Sequence, residues 1–116
     1  MKVSSLTNEL KYHSDKPAIS VLFETESTKE IRIAMKKGQF MKEHKTSFPI
    51  VVEIFEGAID FGVNGAVHHL NKGDLVALEA SVPHDLVATA DSTVRLTLSK
   101  QDQVSRVKNV EAGHAS

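Results

Sequence analysis

The sequence predicts an all-β sandwich or barrel, on three observations. The chain divides into eight or nine short strand-like runs, several with apolar residues at alternate positions. Turn signals separate these runs, the clearest being Asn64-Gly65 and Asn71-Lys72-Gly73. No stretch carries a convincing long helical pattern.

The elements follow in order. Residues 1–17, with Ser4, Ser5, Asn8, Ser14, Asp15 and Pro17, show little periodicity and read as an N-terminal arm. Ile19, Val21 and Phe23 alternate with Ser20 and Leu22, giving a first strand, and residues 24–29 form a polar turn. Ile31, Ile33 and Met35 alternate with Arg32 and Ala34 in a second strand, which Lys36-Lys37-Gly38 ends. Residues 39–45 read as a short strand whose even positions, Phe40, Lys42 and His44, share one face. Pro49 interrupts, residues 50–55 form a strongly apolar strand, and Gly57 marks a bend. The runs 58–63 and 66–70 flank Asn64-Gly65, which predicts a hairpin with a two-residue type I′ turn. Residues 74–78 and 84–88 are two more strands, joined through the loop Ser81-Val82-Pro83. In the last strand, residues 93–98, Val94, Leu96 and Leu98 share a face. The barrel therefore spans 18–99, and residues 100–116 read as a polar C-terminal extension or tail.

A chain of 116 residues suits one domain with a real core. The formal net charge of −1 implies no basic face, so no nucleic-acid partner is expected. No apolar run is long enough to span a membrane, and the N-terminus lacks a signal-peptide core. There is no cysteine, which excludes disulfides, thiolate metal sites and cysteine nucleophiles and fits a cytoplasmic chain.

Two stretches carry a family pattern. In the first, Gly38 is followed after five residues by His44, and six residues separate Ile50 from Gly57. In the second, Gly73-Asp74 leads and His84 follows. On these residues the chain resembles the cupin superfamily, specifically its small single-domain, conserved-barrel (Cupin 2 type, RmlC-like) members. The resemblance covers residues 18–99 and implies a double-stranded β-helix, or jelly-roll, cupin barrel. The family places three histidines and a glutamate around one divalent metal in the barrel. Here Thr46 takes the place of the second histidine, and Ile50, or Val51 on the longer spacing, that of the glutamate. In the second motif Glu79, Ser81 and Ala88 replace the usual Pro, Gly and Asn. The resemblance thus leaves two ligand positions of four, His44 and His84.

His44 and His84 are therefore candidates to face one pocket, as ligands, hydrogen-bonding groups or general bases. A divalent metal (Zn, Ni, Fe, Mn or Cu) is a candidate cofactor at this pair, although tight catalytic sites use three or more protein ligands. The alternative is a pocket in which the imidazoles hydrogen-bond a ligand or each other. Glu53 points away from Ile50, Glu56 lies at the bend, and Glu43 and Asp85 fall on the other face from the histidines; Glu79 remains open, because its loop could fold back. Lys42 is a candidate for an anionic ligand, weighed against a solvated lysine at the barrel mouth. Ile50, Val52, Ile54 and Phe40 read as barrel lining, which makes any ligand partly apolar. In the predicted hairpin His68 falls with Phe61 and Leu70 while His69 falls with Asp60, so the two do not chelate; His13 and His114 are background.

The expected pocket residues are thus His44, His84, Thr46, Ile50, Phe40 and Lys42. The leading expectation is a small-ligand-binding cupin. A metal-dependent dioxygenase or isomerase acting on a small organic or sugar-like molecule is the alternative, and a stand-alone sensory domain a further one. Apolar Val51 and Phe55 on the outer face suggest cover by the arm or a second subunit, and a homodimer is expected.

Overall fold

The computed structural model describes residues 1–100. The expected tail and His114 lie outside the described residues. The nine strands are β1 (Ala18–Glu24), β2 (Thr28–Met35), β3 (Phe40–His44), β4 (Ile50–Glu56), β5 (Ala58–Val63), β6 (Ala66–Asn71), β7 (Leu75–Leu78), β8 (His84–Ala88) and β9 (Ser92–Ser99), with no helix among the described residues. They form two sheets, β1-β2-β9-β4-β7 and β3-β8-β5-β6. All strand pairs are antiparallel. This is the all-β architecture that the alternation predicts, arranged as the jelly roll that the cupin resemblance implies.

Strand periodicity turns the apolar residues inward. In β4, Ile50, Val52 and Ile54 are buried, while Val51, Glu53 and Phe55 between them are half-buried on the outer face. Their inward partners across the sheet are Val94, Leu96 and Leu98 of β9 and Val76 and Leu78 of β7. From the opposite sheet, Ile59, Phe61, Leu86 and Ala88 close the core. The hairpin at Asn64-Gly65 has Val63 opposite Ala66, and both turn residues have positive φ, as a type I′ turn requires.

β2 departs from simple alternation, because Ile31 through Met35 are all buried. The arm is the reason. Arg32 on the outer face donates from Nη1 to the Asn8 and Ser5 carbonyls, at 2.9 and 3.3 Å, and from Nη2 to the Glu9 carbonyl at 3.3 Å. Beside it Arg95 donates from Nε to Glu53 Oε1 at 2.6 Å and from Nη1 to Glu30 Oε1 at 3.2 Å, while Thr97 donates to the same Glu30 oxygen. At the end of the arm, Gln39 Nε2 donates to the His13 carbonyl.

The β4–β5 corner depends on Gly57, whose φ is +90°. A Cβ there would run into Ser92 Oγ and the Asp91 carbonyl. That same hydroxyl accepts from the Ala58 N–H at 3.1 Å and donates to the Ala90 carbonyl at 2.7 Å, so the corner has no room to yield. Gly57→Ala should cost about 2 kcal/mol or more of stability, from the left-handed backbone and the overpacked corner together. Urea unfolding checks this; a midpoint equal to that of the wild type would show that the corner is not tight.

Candidate functional site

Two histidines far apart in sequence become neighbours because β3 lies against β8, where His44 is the register partner of His84. Their ring centroids are 4.3 Å apart, tilted by 60°. Along β8, His84, Leu86 and Ala88 turn inward. Leu86 faces Met41, so three steps along β3, from Met41 to His44, match two along β8. β3 thus carries one extra residue, a bulge, which brings His44 to the inner face.

The bulge corrects two expectations. Phe40 lies opposite Val87 on the outer face and is 55% exposed, and Met41 takes the inner position instead. Lys42 is also exposed. Its carbonyl, rather than its ammonium group, serves the pair, by accepting a hydrogen bond from His44 Nδ1 at 2.7 Å. His84 Nδ1 donates likewise to the Val82 carbonyl at 2.9 Å. A carbonyl oxygen only accepts, so each neutral ring carries its proton on Nδ1 and presents a lone pair at Nε2. The hydrogen bonds of the two rings to described residues are made at Nδ1, and neither Nε2 is a buried atom left without a partner, so both reach solvent.

His84 is almost fully buried and its other neighbour is aromatic. The Phe61 ring lies parallel to it within 10°, centroids 5.6 Å apart. Val63 is the register partner of His84 on β5. Phe61 and Val63 also line a cavity of about 340 Å³ between the β5–β6 hairpin and β7, whose other walls are His68, Leu70, Leu75, Val76 and Leu78. Phe61 and Val63 therefore stand between His84 and this apolar cavity, whose walls include neither imidazole of the pair.

The remaining expected site residues fall elsewhere. Thr46 Oγ1 donates to the Phe48 carbonyl at 2.9 Å, and the Thr46 carbonyl accepts from the Ser81 N–H at 2.8 Å; both bonds brace the loops beside the site. Ser81, where the family pattern has glycine, holds φ at +64°. Ile50 is buried between Leu78 and Leu98 in the core. Glu79 is exposed, and no group of three or more His, Asp or Glu side chains able to hold a metal forms among the described residues. Two neutral imidazoles without a carboxylate do not fit a tightly held catalytic metal. His68 and His69 point apart: His68 borders the cavity, and His69 Nδ1 bonds Asp60 Oδ1 at 2.6 Å on the outer face. The sequence reading missed the cavity role of His68, Leu70, Val76 and Leu78, although the hairpin register already placed His68 beside Phe61.

Comparison with known proteins agrees with the fold. The family model for the AraC-like ligand binding domain matches residues 30–103. No curated protein sequence is significantly similar. Among solved structures, an RmlC-like cupin from Desulfovibrio desulfuricans superposes with a TM-score of 0.79 at 24% identity, covering 85% of this chain and 96% of the other. KdgF from Halomonas sp. gives 0.75 at 16% identity, covering 90% and 99%. A double-stranded β-helix protein from Klebsiella pneumoniae gives 0.75 at 18% identity, covering 85% and 89%. At these identities the likeness shows the fold, a cupin jelly roll.

The two carbonyl contacts make a spectroscopic prediction. In the neutral rings, long-range nitrogen–proton correlation spectra should show the Nδ1–H tautomer for both His44 and His84. An Nε2–H pattern at either ring would mean that its lone pair is not offered to the pocket.

Proposed function

The chain belongs to the AraC-like ligand-binding domain family, and from that premise we propose that it binds a small, largely apolar molecule bearing a hydrogen-bond donor. The observation that carries the reading is that Phe61 and Val63, which flank His84, also form a wall of the apolar cavity. The apolar part of the ligand enters between the β5–β6 hairpin and β7. Its donor group reaches the Nε2 lone pair of His84 or His44. The cavity volume of about 340 Å³ sits at the low end of small-molecule pockets, about 300–1,000 Å³, which favours a compact ligand. Orienting a neutral imidazole from a backbone carbonyl suits binding. A base in a catalytic dyad is usually oriented and charge-stabilised by a carboxylate, and none stands at Nδ1 of either ring. A stand-alone sensory role is compatible with the same pocket. The metal-dependent enzyme reading rests on the same two lone pairs and needs a third donor.

The protein in this reading is a homodimer. The exposed apolar side chains of the edge strand β1 support this: Ile19 and Val21 are 59% and 52% exposed, although their register partners Ile33 and Ile31 are core residues.

Phenol serves as a probe of the pocket, with a ring for the cavity and one hydroxyl donor. Titration should move the methyl signals of Leu70, Val76 and Leu78 saturably. His84→Ala should weaken binding about five- to tenfold, the worth of one hydrogen bond. Shifts confined to other surfaces would remove the cavity as the site. Elemental analysis of untagged protein tests the rival reading: near-stoichiometric metal that disappears in the His44→Ala, His84→Ala double variant would favour the enzyme. For assembly, sedimentation should give a dimer for the wild type and a monomer for Val21→Glu; a monomeric wild type ends that part of the reading.

A further inference from the structure

A second candidate site lies on the outer face of the five-stranded sheet, away from the imidazole pair. There Arg32 is buried to 8% exposure directly across from another cation, Arg95. The two are treated differently. Glu30 and Glu53 meet the charge of Arg95. No carboxylate among the described residues forms an ion pair with Arg32, whose Nη groups face only the carbonyls of Ser5, Asn8 and Glu9. Carbonyl oxygens satisfy N–H donors, but they leave the net charge in place, and an uncompensated buried charge is costly. The arm is also bent to make these contacts. Glu9 holds φ at +53°, a conformation disfavoured for a residue with a side chain, and it aims two successive carbonyls at the guanidinium.

Beside Arg32 the arm and the β1–β2 ribbon enclose an open groove of about 1030 Å³. Its polar walls include Ser4 and Ser20, with Ser5, whose hydroxyl accepts from the Thr7 and Asn8 N–H groups, and its charged ones are Lys11, Arg32 and Glu9, so two cations against one carboxylate leave one positive charge in excess. We infer that this groove binds a compact oxyanion, a carboxylate or phosphate group on a small molecule. Arg32 supplies the fixed charge from the floor, Lys11 a mobile one from the rim, and the serines neutral donors. The anion would supply the counter-charge that Arg95 has and Arg32 lacks. This site shares no lining residue with the barrel cavity.

Titrations with inorganic phosphate and, separately, succinate at fixed ionic strength distinguish the two anion sources, with chloride as the control. Saturable shifts are expected at the backbone amides of Lys11, Ser20 and Arg32. Lys11 is exposed, so Lys11→Ala keeps the fold, and it should weaken binding about two- to fivefold, the worth of one exposed ion pair. Arg32→Gln, which can still donate to arm carbonyls, should abolish it, and His84→Ala should leave it unchanged. Non-saturating shifts matched by chloride, or equal affinity in the wild type, Lys11→Ala and Arg32→Gln proteins, would overturn the inference and reduce Arg32 to a tether for the arm.

Discussion

The pairing of β3 with β8 is the constraint on which the site depends. β8 lies between β3 and β5, and its first residue points inward, so His84 has a neighbour on each side that it cannot avoid. On one side is His44 and on the other Val63, with Phe61 stacked on the ring. A nearly buried imidazole in such a place must find a partner for its N–H. The loop that leads into β8 provides one at the Val82 carbonyl, and β3 repeats the arrangement at Lys42. Burial, tautomer and the direction of the Nε2 lone pairs thus follow from one strand register and two backbone carbonyls.

The two sheets solve the problem of polar groups in opposite ways. The four-stranded sheet admits two imidazoles to the interior and satisfies them locally. The five-stranded sheet keeps its inner face apolar and places its ionic groups on the outer face, under the arm. There Arg95 is held by two carboxylates and a threonine, in a geometry that offsets the desolvation of a half-buried guanidinium. Among the described residues Arg32 is held only by neutral acceptors. That asymmetry between adjacent arginines is the least expected feature of the fold, since like charges directly opposite on a sheet are destabilising.

Alternation made most of this legible in advance. Period-two patterning located the strands, Asn64-Gly65 fixed the hairpin register, and the spacing of glycines and histidines pointed to His44 and His84. The same rule misplaced Phe40 and Lys42, because strict alternation counts every residue and a bulge adds one that it does not count. Nothing within residues 39–45 marks the bulge. It arises because Met41 and His44 must both face inward to match Leu86 and His84 on the neighbouring strand. The burial of Arg32 escaped for a related reason: its strand reads as one-sided until the aperiodic arm folds over it.

The sequence by itself determined the class of fold, the inward face of most strands and the two histidines worth following, since side-chain alternation and turn chemistry are local properties of the chain. The tertiary structure alone decided that the rings stand 4.3 Å apart, that Phe61 and Val63 beside His84 also wall an apolar cavity, and that one arginine lies beneath the arm with no ion-pair partner among the described residues. Those outcomes depend on which strands become neighbours and in what register. Register is set by contacts between segments distant along the chain, which no local pattern contains.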